Sequence, residues 1–164
     1  VTLHFLGEVG EGRLPALTEA MARPLDLEPP RIGLAGWGVF PPRAPARVIW
    51  IGVGAGGGAL ALAHAMLGER LRSAGFTLES RPFAPHLTVG RVKAAPGPHW
   101  ERLTRGMPHE PVCEWALPAC TLFESHLSPA GPAHRALLRV PCAGASLARR
   151  DDGEHRSMGG RHAQ

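Results

Sequence analysis

Arg81-Pro82-Phe83-Ala84-Pro85-His86-Leu87-Thr88-Val89-Gly90-Arg91 is the stretch on which the reading of this chain turns. From His86 onward it alternates polar and apolar residues, the period of a strand. Residues two apart on a strand share a face. His86 and Thr88 therefore project together, and Leu87 and Val89 are expected to pack behind them. An imidazole beside a hydroxyl is a compact phosphate site. The ring takes or gives a proton near neutral pH, and the hydroxyl donates a hydrogen bond to a non-bridging oxygen. The same parity points Arg91 away from His86, which argues against a direct phosphate role for it.

The opening of the chain repeats this pattern in part. Val1-Thr2-Leu3 echoes Leu87-Thr88-Val89, about half the chain away. Val1-Thr2-Leu3-His4-Phe5-Leu6 alternates as a half-buried strand, so Val1, Leu3 and Phe5 are expected to face a core. Thr2 and His4 then share the opposite face. Two such strands facing each other across a cleft would place two motifs of one kind together. A histidine two places before Thr2 would complete the pair, and that position precedes Val1.

Between these ends the elements are mixed. Residues 13–23 read as a short helix with Leu14, Leu17 and Met21 on one stripe. Residues 31–40 and 47–53 read as strands. Residues 59–74 form the clearest helix, with Leu60, Ala63, Leu67 and Leu71 at helical spacing and Gly75 placed to cap it. A strand at 86–92, a short helix at 98–105 and strands at 111–117, 119–126 and 134–140 complete the pattern. Hairpin-like spacing near the end favours an α+β class over a parallel sheet. Residues 1–142 are expected to form one domain, followed by a polar tail, 143–164, expected to be disordered.

The chain has 164 residues, a formal charge of +4 and a pI near 9.8. Lys93 is the sole lysine among 18 basic residues, so arginine carries the charge. Arginine suits bidentate phosphate contacts, although a GC-rich genome accounts for abundant Arg, Ala, Gly and Pro together. The three cysteines, Cys113, Cys120 and Cys142, lack metal-type spacing and fit a reducing cytoplasm. No apolar run is long enough to cross a membrane as a helix.

The two motif-bearing stretches resemble the 2′-5′ RNA ligase / RNA 2′,3′-cyclic phosphodiesterase family of two-histidine phosphoesterases. VTLHFLGEV at 1–9 resembles the first family motif, which typically reads like HLTLxFLGEV. RPFAPHLTVGR at 81–91 resembles the second, and LFESHLSPAGPAH at 122–134 resembles the closing segment, with His134 where an aromatic is usual. Phe40 and VIWIGV at 48–53 resemble the central strands. The resemblance implies a bilobal two-histidine phosphoesterase fold with pseudo-twofold antiparallel sheets. It implies opening of a 2′,3′-cyclic phosphate at an RNA end to a 2′-phosphate, with reverse 2′-5′ ligation in some members. His86 matches the proton-accepting histidine, and Thr88 and Thr2 match the phosphate-holding residues. Phe83, Arg81 and His4 are candidate RNA contacts. Neither cofactor nor metal is implied. The partner is RNA ending in a cyclic phosphate, tRNA fragments among the candidates, and a monomer is expected. The family's first-motif histidine, opening strand and helix have no counterpart from Val1 onward, so the chain reads as N-terminally truncated. The alternative is an RNA- or nucleotide-binding module whose cleft binds without turnover.

Two other patterns compete. Gly52-Val53-Gly54-Ala55-Gly56-Gly57 matches GxGxxG between a strand and a helix, as a nicotinamide-dependent oxidoreductase would have it. His109-Glu110 with Cys113 falls short of a zinc-binding HExxH. His64, on the apolar stripe of its helix, reads as a core histidine.

Overall fold

In the computed structural model the described residues are 1–42, 45–93, 105–107, 110–128 and 131–143. Two helices stand out, α1 (Leu14–Met21) and α2 (Gly57–Ser73). Six strands accompany them: β1 (Arg31–Phe40), β2 (Val48–Val53), β3 (His86–Arg91), β4 (Cys113–Ala116), β5 (Ala119–Ser128) and β6 (Gly131–Pro141). One sheet runs β3-β2-β1-β4 and is antiparallel throughout, and β5 and β6 form a separate antiparallel pair. The class is α+β, as the periodicities indicate.

Helix α2 organises the core. Leu60, Ala63, Leu67 and Leu71 are each only 2% exposed. Full burial of a leucine contributes about 1.5–3 kcal/mol. Leu17 and Met21 of α1 lie one turn apart and meet Ala63, Leu67 and Leu71 in a cluster with Leu25, Phe76 and Val140. The helix ends where Gly75 adopts φ +78. Gly75 N–H donates to the Arg72 carbonyl at 2.8 Å and Phe76 N–H to that of Leu71 at 2.9 Å. This is a Schellman cap, and Phe76 supplies its apolar contact. Leu25 N–H donates to Pro141 at 2.9 Å, and Ala143 N–H to Leu25 at 2.6 Å, so the end of β6 is tied to the segment after α1. The helix expected at 98–105 and the tail beyond Ala143 fall outside the described residues, apart from Arg105.

The opening strand is a correction. Residues 1–10 are irregular and belong to neither sheet. Leu3, Leu6 and Val9 pack on the helical core, whereas Val1 is 42% and Phe5 71% exposed. The segment packs on the helical core instead of in a ladder, so its half-buried apolar side chains recur every third residue rather than every second. Leu87 and Val89 also depart from expectation, at 38% and 47% exposed. Strand β3 is a sheet edge, so its outer side chains lack the cover that buries neighbouring Ile51.

The glycine-rich turn is not a dinucleotide cradle. Strand β2 runs antiparallel to both neighbours, whereas such cradles open from parallel sheets. The Gly54 amide is spent on the Gly33 carbonyl at 2.9 Å. Gly56 adopts φ +76, and a Cβ there would press on the Arg31 carbonyl and lie 2.7 Å from Ile32 Cδ1. The glycine lets the turn pass close over β1.

The three thiols are unpaired. Burial and the neighbouring Cys142 push Cys120 up to about 11, and burial raises Cys142 as well. Because the thiolate is the reactive species, iodoacetamide at pH 8 is expected to label exposed Cys113 first. Cys120 and Cys142 should lag by roughly tenfold or more in the native protein, as read by mass spectrometry with time.

Candidate active site

His86 opens β3 immediately after Pro85. A residue before proline is held to extended backbone, which fixes Ala84. The His86 Nδ1 lies 2.8 Å from the Ala84 carbonyl oxygen. A carbonyl only accepts, so Nδ1 carries the proton. In the neutral ring Nε2 is then left with its lone pair available. The Ala-Pro-His order therefore sets the tautomer through local backbone geometry.

Beneath the ring lies an aromatic floor. Phe40, at the end of β1, meets His86 edge-on at 5.1 Å between centroids. Trp50 of β2 lies 6.0 Å from His86 and 5.1 Å from Phe40. Register explains the grouping, because directly opposed residues share a face. Gly52 is opposite His86, Trp50 is opposite Thr88, and Gly38 is opposite Trp50. The indole lies across Gly38, where a Cβ would sit 2.6 Å from its Cε2 and nearer still to Cζ2 and Cη2. Trp50 Nε1 is buried with no hydrogen-bond partner among the described residues. Such a donor costs about 1–3 kcal/mol, so apolar packing holds the indole there.

A bulge alters the reading of Arg91. The register passes from Trp50–Thr88 to Ile49–Gly90, leaving Val89 as an extra residue. Arg91 then falls opposite Val48, on the face of Trp50, Thr88 and His86. Strand parity alone put it on the other side. Glycine at 90 was the available sign of a bulge. Trp50 and Gly38 were likewise missed as site residues. A large aromatic facing a glycine across two strands becomes visible only once the register is known.

The remaining candidates are placed by other contacts. Thr2 is exposed in the irregular opening segment. Arg81 is exposed and pairs with Glu79 at 2.8 Å. Phe83 is half-buried, its ring stacked on His64 at 4.3 Å. His4 stacks on His64 at 4.0 Å. An open cleft of about 840 Å³ is lined by His64, Arg72, Glu79, Arg81 and Phe83 among others. On the β5–β6 pair, Glu124 binds Arg135 at 2.7 Å and His126 at 3.2 Å. Those hydrogen bonds, Arg135 first, hold its carboxyl below the usual range. Ser125 Oγ lies 2.8 Å from His134 Nδ1. His109 falls outside the described residues, and among the described residues no three His, Cys, Asp or Glu groups converge as metal ligands would.

A histidine whose Nδ1 is held by a carbonyl, a neighbouring hydroxyl and a guanidinium share one strand face of an antiparallel α+β frame, a set of groups able to move a proton and hold a phosphate. The family model of the 2′-5′ RNA ligase superfamily matches residues 1–127. An RNA 2′,3′-cyclic phosphodiesterase of Aeropyrum pernix is 35% identical over 144 residues, covering 87% of this chain and 81% of the relative. One from Archaeoglobus fulgidus is 36% identical over 137 residues, covering 84% and 76%. A crystal structure of a Thermus thermophilus protein superposes with a TM-score of 0.62 at 30% identity, covering 85% of this chain and 75% of that one. The chain belongs to the 2′-5′ RNA ligase superfamily.

Proposed function

We propose that this protein opens a 2′,3′-cyclic phosphate at an RNA end, leaving a 2′-phosphate, by general acid–base catalysis. The observation that carries the reading is the His86 Nδ1–Ala84 bond, which presents Nε2 as a proton acceptor. Water attacks phosphorus as Nε2 takes its proton. The bond from phosphorus to the 3′ oxygen breaks, and that oxygen leaves as a hydroxyl after gaining a proton. The family pattern assigns this proton to a histidine two places before Thr2. Thr88 donates to a non-bridging oxygen, with Arg91 on the same face to offset its charge. Thr2 serves the first motif in the same way. Arg81 and the outer face of Phe83 contact the RNA beyond its terminal phosphate. Neither proton transfer calls for a metal. Ligation follows the same opening with an RNA 5′-hydroxyl in place of water: its oxygen attacks phosphorus as Nε2 takes its proton, the bond to the 3′ oxygen breaks, and a 2′-5′ linkage forms.

We assign residues 1–142 to one domain acting as a monomer. The free thiols fit a cytoplasmic setting, and among the described residues no helix is long and apolar enough to cross a membrane. RNA ends left by cyclising ribonucleases, tRNA fragments among them, are the substrate class.

The test is an oligoribonucleotide ending in a 2′,3′-cyclic phosphate, with the product's phosphate position read by phosphorus NMR. A 2′-phosphate product is expected. Binding without turnover would favour the binding-module reading instead. Thr88→Val keeps the shape and removes the hydroxyl. It is expected to lower kcat/KM by roughly tenfold to a hundredfold, as loss of a hydrogen bond to a charged group implies.

A further inference from the structure

His64 takes no part in the proton transfers, yet it touches both motif-bearing segments. Its ring projects half-buried from α2. The His4 ring lies 4.0 Å away with an interplanar angle of 18°, and the Phe83 ring lies 4.3 Å away at 11°. Two rings this close and this parallel cannot share one face of an imidazole, so His64 is sandwiched. His4 follows Thr2 by two residues, and Phe83 precedes His86 by three. One side chain of α2 is thus the common contact of the segments that carry the two motifs.

Two further features support a built contact. His4 Nε2 donates to the backbone carbonyl of His64 at 2.8 Å. One turn onward stands Gly68, buried within α2. Glycine in a helix interior costs about 1 kcal/mol against alanine. A Cβ at that position would lie 3.2 Å from both Cε1 and Nε2 of His4. The helix forgoes a side chain where His4 docks.

We propose that His64 is a positioning residue, a clasp whose ring fixes the Thr2 segment relative to the His86 segment, and that proton uptake opens the clasp. The assignment of His86 and Thr2 to one site rests on the function proposed above. The charged surroundings favour such opening. From the opening segment, His4 faces the ring. From α2 itself comes Arg72, paired with Glu69 at 3.2 Å. From the segment after α2, Glu79 and Arg81 line the same cleft, paired to each other. Glu69 and Glu79 are thus engaged by arginines, and among the described residues no carboxylate is paired with His64 itself. Desolvation first, then His4 and Arg72, hold the His64 imidazole below its ordinary value of 6.5. The unfolded chain accordingly binds more protons than the clasped form at mildly acid pH. The clasp's stability is full above 6.5 and falls as pH drops below it.

The test compares the full chain with His64→Ala, His64→Phe, Gly68→Ala and His86→Ala. Nitrogen-15 relaxation reports order in residues 1–10 and 80–86 at pH 7.5 and 5.5. Kinetics on the cyclic-phosphate oligoribonucleotide run alongside. In the unaltered chain both segments should be ordered at pH 7.5 and loosened at pH 5.5. His64→Ala should loosen both at either pH and lower kcat/KM roughly tenfold, about 1.4 kcal/mol of positioning. His64→Phe keeps the stack and the backbone acceptor, so it should stay ordered at both pH values and restore the rate to within about threefold. Gly68→Ala should loosen the opening segment alone. Loosening by His64→Phe equal to that of His64→Ala would overturn the clasp, as would unchanged order in His64→Ala. Absent turnover, or turnover undiminished in His86→Ala, would instead sink the reading of the site, and the relaxation data would still decide the clasp.

Discussion

On the mechanism proposed, replacing His86 by alanine is expected to lower the rate of cyclic-phosphate opening by about 10²–10⁴, the usual contribution of a positioned proton acceptor. The ring's Nδ1 is committed to the Ala84 carbonyl, so only Nε2 can receive the proton of the attacking water. Alanine removes that acceptor and leaves Thr88 and Arg91 in place. The loss should therefore fall on kcat, with KM nearly unchanged. Single-turnover hydrolysis of the cyclic-phosphate oligoribonucleotide is the measurement. His86→Asn separates orientation from chemistry, since its amide can still bond Ala84 but cannot accept the proton. Equal rates in all three proteins would remove His86 from the mechanism.

Gly38→Val is expected to damage stability and rate together. The new side chain enters the space of the Trp50 indole. Trp50 is flanked by Phe40 and His86, so a displaced indole must press on those rings. Overpacking of this kind costs about 1–3 kcal/mol. For a chain of this size that is roughly 2–4 °C of Tm per kcal/mol. Displacing the indole also withdraws the floor beneath His86, and kcat should fall by up to about a hundredfold for a shift on the order of 1 Å. Gly12→Ala is the control, because a Cβ there meets nothing within 4 Å. Thermal unfolding and hydrolysis are measured on the same preparations. A Gly38→Val protein as stable and active as the parent would show that the indole does not support the site.

Much of the frame was legible because its signals are local. The stripe Leu60, Ala63, Leu67, Leu71 repeats at the helical period, and all four residues are buried. Gly75 was placed as a cap and forms one. The alternation after Pro85 identified β3, and His86 and Thr88 share its face as the parity of two requires. The opening segment departs from its alternation because, among the described residues, no strand pairs with it. Its apolar residues met a helix surface, which selects a different spacing.

By itself the sequence determined the helices, most strands, the α+β class and the pairing of an imidazole with a hydroxyl on one strand. Those features depend on neighbours within a few residues, where backbone geometry is fixed by period, proline and glycine. The sequence also determined the His86 tautomer in effect, since Pro85 constrains the residue whose carbonyl holds it. Tertiary structure alone decided that Arg91 joins the His86 face, because a bulge at Val89 exists only relative to β2. It alone laid Trp50 across Gly38 and placed His64 between His4 and Phe83. Each of these contacts joins segments far apart in the chain. No local period encodes them, and they follow from register and packing once the sheet and α2 have formed.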